Sequence, residues 1–399
     1  SHYALGVGMT LALYALLTLL EVRRGIAAAV TGVVIVSPAA LLYENWLFYT
    51  WPVASLLVFA ALFFVRYARE AKGLDGFLFF AMIALLAGMR SVFHLIWIAS
   101  VLGLILAARR SDWKRTLAVA ALPLACVLAI YIKNAVVFGE FSTSTWMGMS
   151  FSKVVVEGVP EEELERMAES GEVAPILSTM AFEPIDAYTT YTVRSEPTGI
   201  PALDQETKST GFHNLNHRDY PAVNDAFMEA SMALFQKRPG AYARGVGRAL
   251  IIFFKPPSEY LFLAHYNHMI RHWDRVYSAL VYGKFGEHTY VKGKNNVVFD
   301  QRGHTVGNIG FWLPLLWLGI LAFAARCAWL LARDPESRTP ERFAIVFMGL
   351  TIAWVTLIGV LLEVGENNRF RYQVEPMAFV MLGVLLEKAW ARWGQSRKT

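Results

Sequence analysis

Thr116-Leu117-Ala118-Val119-Ala120-Ala121-Leu122-Pro123-Leu124-Ala125-Cys126-Val127-Leu128-Ala129-Ile130-Tyr131-Ile132 carries no charge, and Lys114-Arg115 and Lys133-Asn134 bracket it. A bilayer core of roughly 30 Å takes about 20 apolar residues as a helix, with about 17 to 25 tolerated. In hydrocarbon the backbone must satisfy its own polar groups, so the run reads as one membrane-spanning helix, Pro123 included.

The same pattern repeats on both sides. Further apolar runs cover 2–20, 25–43, 46–65, 74–89, 91–108, 309–331, 343–362 and 372–390. The runs 74–89 and 91–108 are short and share only Arg90 as a break, so they read as one tight hairpin or two tilted helices. Arg23-Arg24, Arg66 with Arg69, Arg109-Arg110 with Lys114-Arg115, Arg333 to Arg342, and Arg392 with Arg397-Lys398 fall at every second run end. That is the positive-inside pattern, and it places those turns in the cytoplasm. The long polar stretch then lies on the non-cytoplasmic side, as an outer domain. An odd span count and a first residue of Ser together predict an upstream piece with at least one further span.

Composition agrees with a membrane class. Hydrophobic residues make up 55% and charged residues 17%, where a soluble domain has about 25% charged. The net charge of +5 and the pI near 9.1 point to anionic headgroups rather than to nucleic acid. Cys126 and Cys327 both sit in apolar runs, so the outer domain folds without disulfides. The expected organisation is an all-α polytopic membrane protein. It has an N-terminal bundle at 1–134, a mostly helical or irregular outer domain at 135–308, and a C-terminal bundle at 309–399.

Helix signals are visible in the outer stretch. Glu161-Glu162-Glu163 after Pro160 suits a helix N-terminus. Residues 225–236 carry Phe227, Ala230, Met232, Ala233 and Phe235 at helical spacing, and Lys237-Arg238-Pro239-Gly240 ends the run. Residues 242–254 read as an interfacial helix. His265, His268 and His272 share helical spacing and read as an amphipathic face.

Charged groups at membrane depth cost about 2.5 to 3.5 kcal/mol on insertion scales, so each marks a candidate site. Glu44, Arg90, His94, Lys133, Glu366, Arg369 and Arg371 all fall at outer run ends. Converging cations there suit a phosphate or pyrophosphate whose lipid tail lies between the helices. The plain alternative is that Glu44 marks a helix end in water and that Lys133, Arg369 and Arg371 snorkel to headgroups. Phe48, Tyr49, Trp51, Trp312 and Trp317 read as interfacial belt or packing. In the outer domain, His213, Asn214, Asn216 and His217 form a dense polar group. The histidines are spaced i, i+4, but the neighbouring Gly211 and the asparagines favour a loop that hydrogen-bonds a sugar or acceptor over a metal site. Nucleotide-binding loops and nucleophile elbows are absent from the sequence. An enzyme here needs an activated, lipid-borne donor.

Three segments carry a resemblance. Tyr131-Ile132-Lys133-Asn134-Ala135-Val136-Val137-Phe138-Gly139-Glu140-Phe141-Ser142 resembles the segment that enters the periplasmic loop in bacterial relatives of the protein O-mannosyltransferases. The stretch from Ser37-Pro38 to Glu44 resembles that family's Pro-to-Glu segment, and Glu366 with Arg369-Phe370-Arg371-Tyr372 and Pro376 resembles its late Glu…Arg…Pro segment. The resemblance implies a GT-C architecture and an inverting glycosyltransferase. Its donor would be a polyprenyl-phosphate-linked sugar, and its acceptor a glycan, a lipid or a protein.

By that resemblance Lys133, Arg369, Arg371 and Arg90 would hold the lipid phosphate. Glu44 would assist catalysis, and His94, His213, Asn214, Asn216, His217 and Glu366 would contact sugar or acceptor. The family's general base sits in a first outer loop with no counterpart in this sequence. No cofactor is implied with certainty, and use of a divalent cation stays open. The same residues also suit a non-catalytic polyprenyl-lipid binder or a transporter; a receptor-like outer domain on an anchor leaves most spans idle.

Overall fold

The computed structural model of the chain describes residues 2–286, 288 and 309–396. The side chain of His265 and residues 289–308 of the expected outer domain lie outside the described residues. The structure is 77% helical and has no strand among the described residues, so the fold is all-α. The first helices are α1 His2–Leu19, α2 Arg24–Ile35, α3 Pro38–Asn45, α4 Thr50–Glu70, α5 Gly73–Met89, α6 Leu95–Ala108 and α7 Trp113–Phe138. Then follow α8 Met147–Glu157, α9 Glu161–Glu169, α10 Pro201–Asp204, α11 Tyr220–Lys237, α12 Pro239–Phe253, α13 Ala264–Asn267 and α14 Arg271–Tyr277. The last three are α15 Trp312–Arg333, α16 Pro340–Leu362 and α17 Asn367–Ser396.

Five helices (α1, α4, α7, α15 and α16) are long and apolar enough to cross a membrane, and α2 with α3 makes a sixth if the bent pair is one span. The chain is therefore an all-α polytopic membrane protein. Four expected spans differ from this plain picture. The runs at 74–89 and 91–108 become the shorter apolar helices α5 and α6. The run at 372–390 is the middle of the 30-residue α17, which carries Arg369, Arg371 and Glu375 within its first turns. The run at 25–43 is broken by 55° between α2 and α3.

The break has a local cause. Pro38 has no N–H to give, and its ring excludes a continuing helix. Ser37 instead caps α3, its side chain accepting from the Ala40 amide at 3.1 Å. The interruption leaves carbonyls that a straight helix would use internally. The Val33 carbonyl accepts from the Tyr277 hydroxyl at 2.9 Å, and the Val36 carbonyl accepts from the Trp273 indole at 2.8 Å. The Val33 bond is partly buried and the Val36 bond exposed; a buried acceptor left without a partner costs about 1–3 kcal/mol, so α14 stabilises the break chiefly through Tyr277.

The chain divides into two compact units: Ser1–Ile130, Phe253–Leu357 and Asn368–Thr399 in the first, and Tyr131–Ile252 with Ile358–Asn367 in the second. In the first, α4 packs against both α1 and α5. Phe64 stacks on Phe347 at 5.0 Å between ring centres and meets Phe79 edge-on at 5.4 Å. Two polar pairs cross this core: the Trp97 indole donates to Thr351 at 3.3 Å, fully buried, and Trp317 donates to Thr356 at 3.0 Å, partly buried. Gly349 lets α16 lie directly on the Ala324 methyl of α15, the small-residue packing that membrane helices favour.

The basic turns hold a second difference. Expected to face headgroups, several are tied to acids within this unit. Arg23 pairs with Glu387 at 2.8 Å, Arg66 with the buried Asp75 at 3.0 Å, and Arg69 with Glu341 at 2.6 Å. The acids come from neighbouring helices, a pairing that no local sequence pattern announces.

The second unit has its own core, built from Met149, Phe151, Val155, Tyr188, Tyr220, Val223, Phe227 and Leu234. The helix expected at 225–236 runs as Tyr220–Lys237, and it buries Val223, Phe227, Ala230 and Leu234 while Met232 stays 40% exposed. Fully burying one such apolar side chain contributes about 1.5–3 kcal/mol. α8 lies against α11 so closely that a methyl on Gly148 would strike the Asn224 carbonyl. The Gly148 amide donates to the Asn224 side chain at 2.6 Å, which fixes the register of the two helices. Cys126 and Cys327 are both free thiols.

Candidate functional site

The first unit gathers two arginines around shared rings. Arg369 is 2% exposed, in the first turn of α17. Its guanidinium carbon lies 5.0 Å from the Phe48 ring centre, 5.1 Å from Tyr49, 5.1 Å from Tyr260 and 5.5 Å from Phe370. Arg90, half-buried after α5, lies 4.7 Å from Tyr49 and 4.6 Å from Phe370, and donates to the Tyr49 hydroxyl. Two permanent cations therefore face the same pair of rings. Each such contact contributes about 0.5–2 kcal/mol, more as water is excluded. The rings extend outward through Phe48, which stacks on Trp46 at 4.3 Å.

Arg371, two residues on, is placed differently. It is fully buried, and its nitrogens donate to the Phe253 carbonyl at 2.8 Å, the Lys255 carbonyl at 2.9 Å and the Glu375 carboxylate at 2.8 Å. Its face lies 5.2 Å from the Tyr282 ring, and the Tyr282 hydroxyl donates to the other Glu375 oxygen at 2.6 Å. Expected as a phosphate ligand, Arg371 has the geometry of a brace, because its donors are spent on protein oxygens. Asn368 adds a bond to the Pro256 carbonyl at 3.1 Å, and Tyr43 one to Pro257 at 3.4 Å. Together these pin residues 253–257 and carry the chain to Tyr260 beside Arg369.

A buried polar group stands next to Tyr260. Glu259 pairs with Lys284, both fully buried, and the His288 imidazole lies 3.1 Å from Glu259 and 3.5 Å from Asp274. Ser258 donates to Asp274 at 2.6 Å. Burial alone would lower the His288 pKa, but its hydrogen bonds to Asp274 and Glu259 raise it above the ordinary imidazole value. Tyr49, Tyr260, Phe370 and this group were not among the expected site residues. Tyr49 read as interfacial belt, and only the adjacency of Arg369, Phe370 and Arg371 hinted at a ring between charges.

The other expected site residues lie as follows. Glu44 is half-buried at the end of α3, its carboxylate against Gly6 of α1 and its carbonyl 3.1 Å from the His2 imidazole. His94 is half-buried just before α6, four residues after Arg90. The remaining ones belong to the second unit. Lys133 is exposed, its ammonium 5.7 Å from the Phe138 ring of its own helix. Glu366 is half-buried near Glu363, whose buried carboxylate pairs with Lys153. Burial pushes the Glu363 carboxyl up, Lys153 pulls it back, and Glu366 adds to the rise.

The polar group at 213–217 is a loop, not a helix, so its histidines do not share a helical face. His213 stacks on Phe212 at 4.1 Å. Asn214 is buried and donates to the Ala202 and Gln205 carbonyls at 2.9 and 2.8 Å, while its oxygen accepts from the Asn216 amide at 3.2 Å. His217 is buried 3.7 Å from Asp219. Asn214 and His217 therefore build the loop, and Asn216 stays exposed. Among the described residues, no group of three or more His, Cys, Asp or Glu is placed to hold a metal ion.

Comparison with family models, with curated proteins and with solved structures gives no match.

Proposed function

We propose that this protein is a membrane glycosyltransferase that moves a sugar from a polyprenyl-phosphate carrier to an acceptor hydroxyl on the non-cytoplasmic face. The observation that supports this reading is the pair Arg90 and Arg369 on the shared rings of Tyr49 and Phe370. In such a transfer the acceptor oxygen attacks the anomeric carbon, and the bond from that carbon to the phosphate oxygen breaks. The phosphate leaves with the electron pair, and the hydroxyl proton passes to a carboxylate base. Negative charge grows on the phosphate, and preplaced guanidinium groups in a water-poor, ring-lined site stabilise it. Arg371 and Glu375 hold the scaffold in this scheme, and Glu44 is a carboxylate available to orient the acceptor.

The test uses the full protein reconstituted in lipid with a radiolabelled polyprenyl-phosphate sugar. Losing one such charge-stabilising donor costs about 100- to 1,000-fold in turnover, so Arg369→Gln and Arg90→Gln should each lose transfer on that scale. Transfer that persists unchanged in the double variant rules the reading out.

A second reading is favoured by the bent pair α2 and α3, because broken helices near a ligand are a transporter feature. On that reading the same arginines bind the lipid phosphate without turnover. Carrier binding by the wild type, sensitive to Arg369→Gln but accompanied by no sugar transfer and by carrier flipping in vesicles, selects it.

A further inference from the structure

A different part of the first unit carries an apolar groove of about 400 Å³ lined by Ile26, Leu386, Ala389, Trp390 and Trp393. The four α17 residues fall at i, i+3, i+4 and i+7, one stripe of the helix. No lining residue is charged, so the groove has nothing to offer a polar ligand along its length.

The charges stand at its margin. Arg23 bonds Glu387 through its backbone amide at 3.0 Å and its guanidinium at 2.8 Å, and its guanidinium lies 5.1 Å from the Trp390 ring. That pair neutralises itself and sets the wall. Arg24, two positions before Ile26, and Arg392, beside Trp393, are exposed and have no ion-pair partner among the described residues. Hydrocarbon surface whose lining residues have exposed cations one and two positions along the same helices is complementary to an amphipathic anion. Long arginine side chains reach from apolar surface to headgroup level.

We propose that this groove seats one acyl chain of an anionic glycerophospholipid, with the headgroup phosphate held by Arg24 and Arg392. The site is independent of the Arg90 and Arg369 pair. A neutral or zwitterionic lipid gains only the apolar contact. An anionic one gains about fivefold per basic residue near it.

The test places the full chain in nanodiscs of phosphatidylcholine with increasing chain-brominated phosphatidylglycerol, or with chain-brominated phosphatidylcholine as control. Bromine quenches nearby tryptophan, and subtracting the emission of a Trp390→Phe/Trp393→Phe variant isolates the groove signal. The expected result is half-quenching at a roughly fivefold to 25-fold lower mole fraction of the anionic lipid. Arg24→Gln/Arg392→Gln should erase that preference while leaving quenching by phosphatidylcholine in place. Equal quenching by the two lipids in the wild type, or a preference that survives the double arginine variant, overturns the proposal and leaves ordinary surrounding lipid. Should the tryptophan variant fail to fold, native mass spectrometry decides in its place. Wild type must retain phosphatidylglycerol that the arginine variant does not, and equal retention overturns the proposal.

Discussion

Arg90 and Arg369 approach the same ring, their guanidinium carbons 4.7 and 5.1 Å from the centre of Tyr49. The negative face of an aromatic ring lowers the cost of holding like charges near each other. Replacing Tyr49 with Ala removes that mediator, and both cations lose about 0.5–2 kcal/mol of contact energy. Binding of a polyprenyl phosphate to the full protein should weaken several-fold in Tyr49→Ala and stay near wild type in Tyr49→Phe. Equal losses in the two variants point to the hydroxyl bond with Arg90 as the part that matters.

Arg371 should separate from Arg369 by its effect on stability. Arg371→Met strands Glu375 and two carbonyls in a buried site, a change of about 3–5 kcal/mol. Arg371→Met/Glu375→Met replaces the pair by apolar side chains and should recover much of that loss. Thermal unfolding in detergent reads the difference; a mild single variant means that Arg371 is not a brace. Arg369→Gln should lose its ring contacts, about 0.5–2 kcal/mol each, a loss that Glu375→Met does not relieve.

The His288 group sets a pH dependence. Its folded pKa is raised above 6.5, so the stability it contributes is complete below about pH 6.5. That contribution fades as the pH rises through the folded value, when Glu259 and Asp274 lose their imidazolium partner and Glu259 keeps Lys284 while Asp274 keeps the Ser258 hydroxyl. The wild-type unfolding midpoint should therefore fall on going from pH 6 toward pH 8. His288→Gln should flatten that slope, and a slope of opposite sign contradicts the assignment.

In the second unit, Gly148→Ala drives a methyl into the Asn224 carbonyl of the facing helix. Overpacking of this kind costs about 1–3 kcal/mol. Proteolysis of the unit should accelerate in Gly148→Ala, whereas Met232→Ala, at an exposed position of the same helix pair, should change little. Comparable rates for both would show that the helices have room to separate.

What the sequence made legible depended on range. The uncharged run around Leu122 fixes α7 because length and hydropathy are local properties. The acidic turn at Glu161 and the breaker at Pro239 likewise mark α9 and the end of α11. Pro38 was visible as a residue, but the run from 25 to 43 still read as one span, since hydropathy does not register a missing amide. The pairing of Arg23 with Glu387 spans nearly the whole chain, and nothing near either residue foretells it. The same holds at the candidate site. Arg90 and Arg369 stood out as charges at run ends, but the ring between them belongs to Tyr49, which composition alone assigns to an interfacial belt. At His213 and His217 the local signal sufficed: the i, i+4 spacing suits a helix, but Gly211 and the asparagines mark the loop that the backbone forms.

The interruption at Ser37-Pro38 has an inheritance of its own. Trp273 and Tyr277 fasten to backbone oxygens rather than to side chains, so their docking points survive any exchange at Val33 or Val36 yet vanish if the helix is mended. Among descendants of this chain, loss of the proline should travel with loss of both ring donors, whereas the valines drift freely.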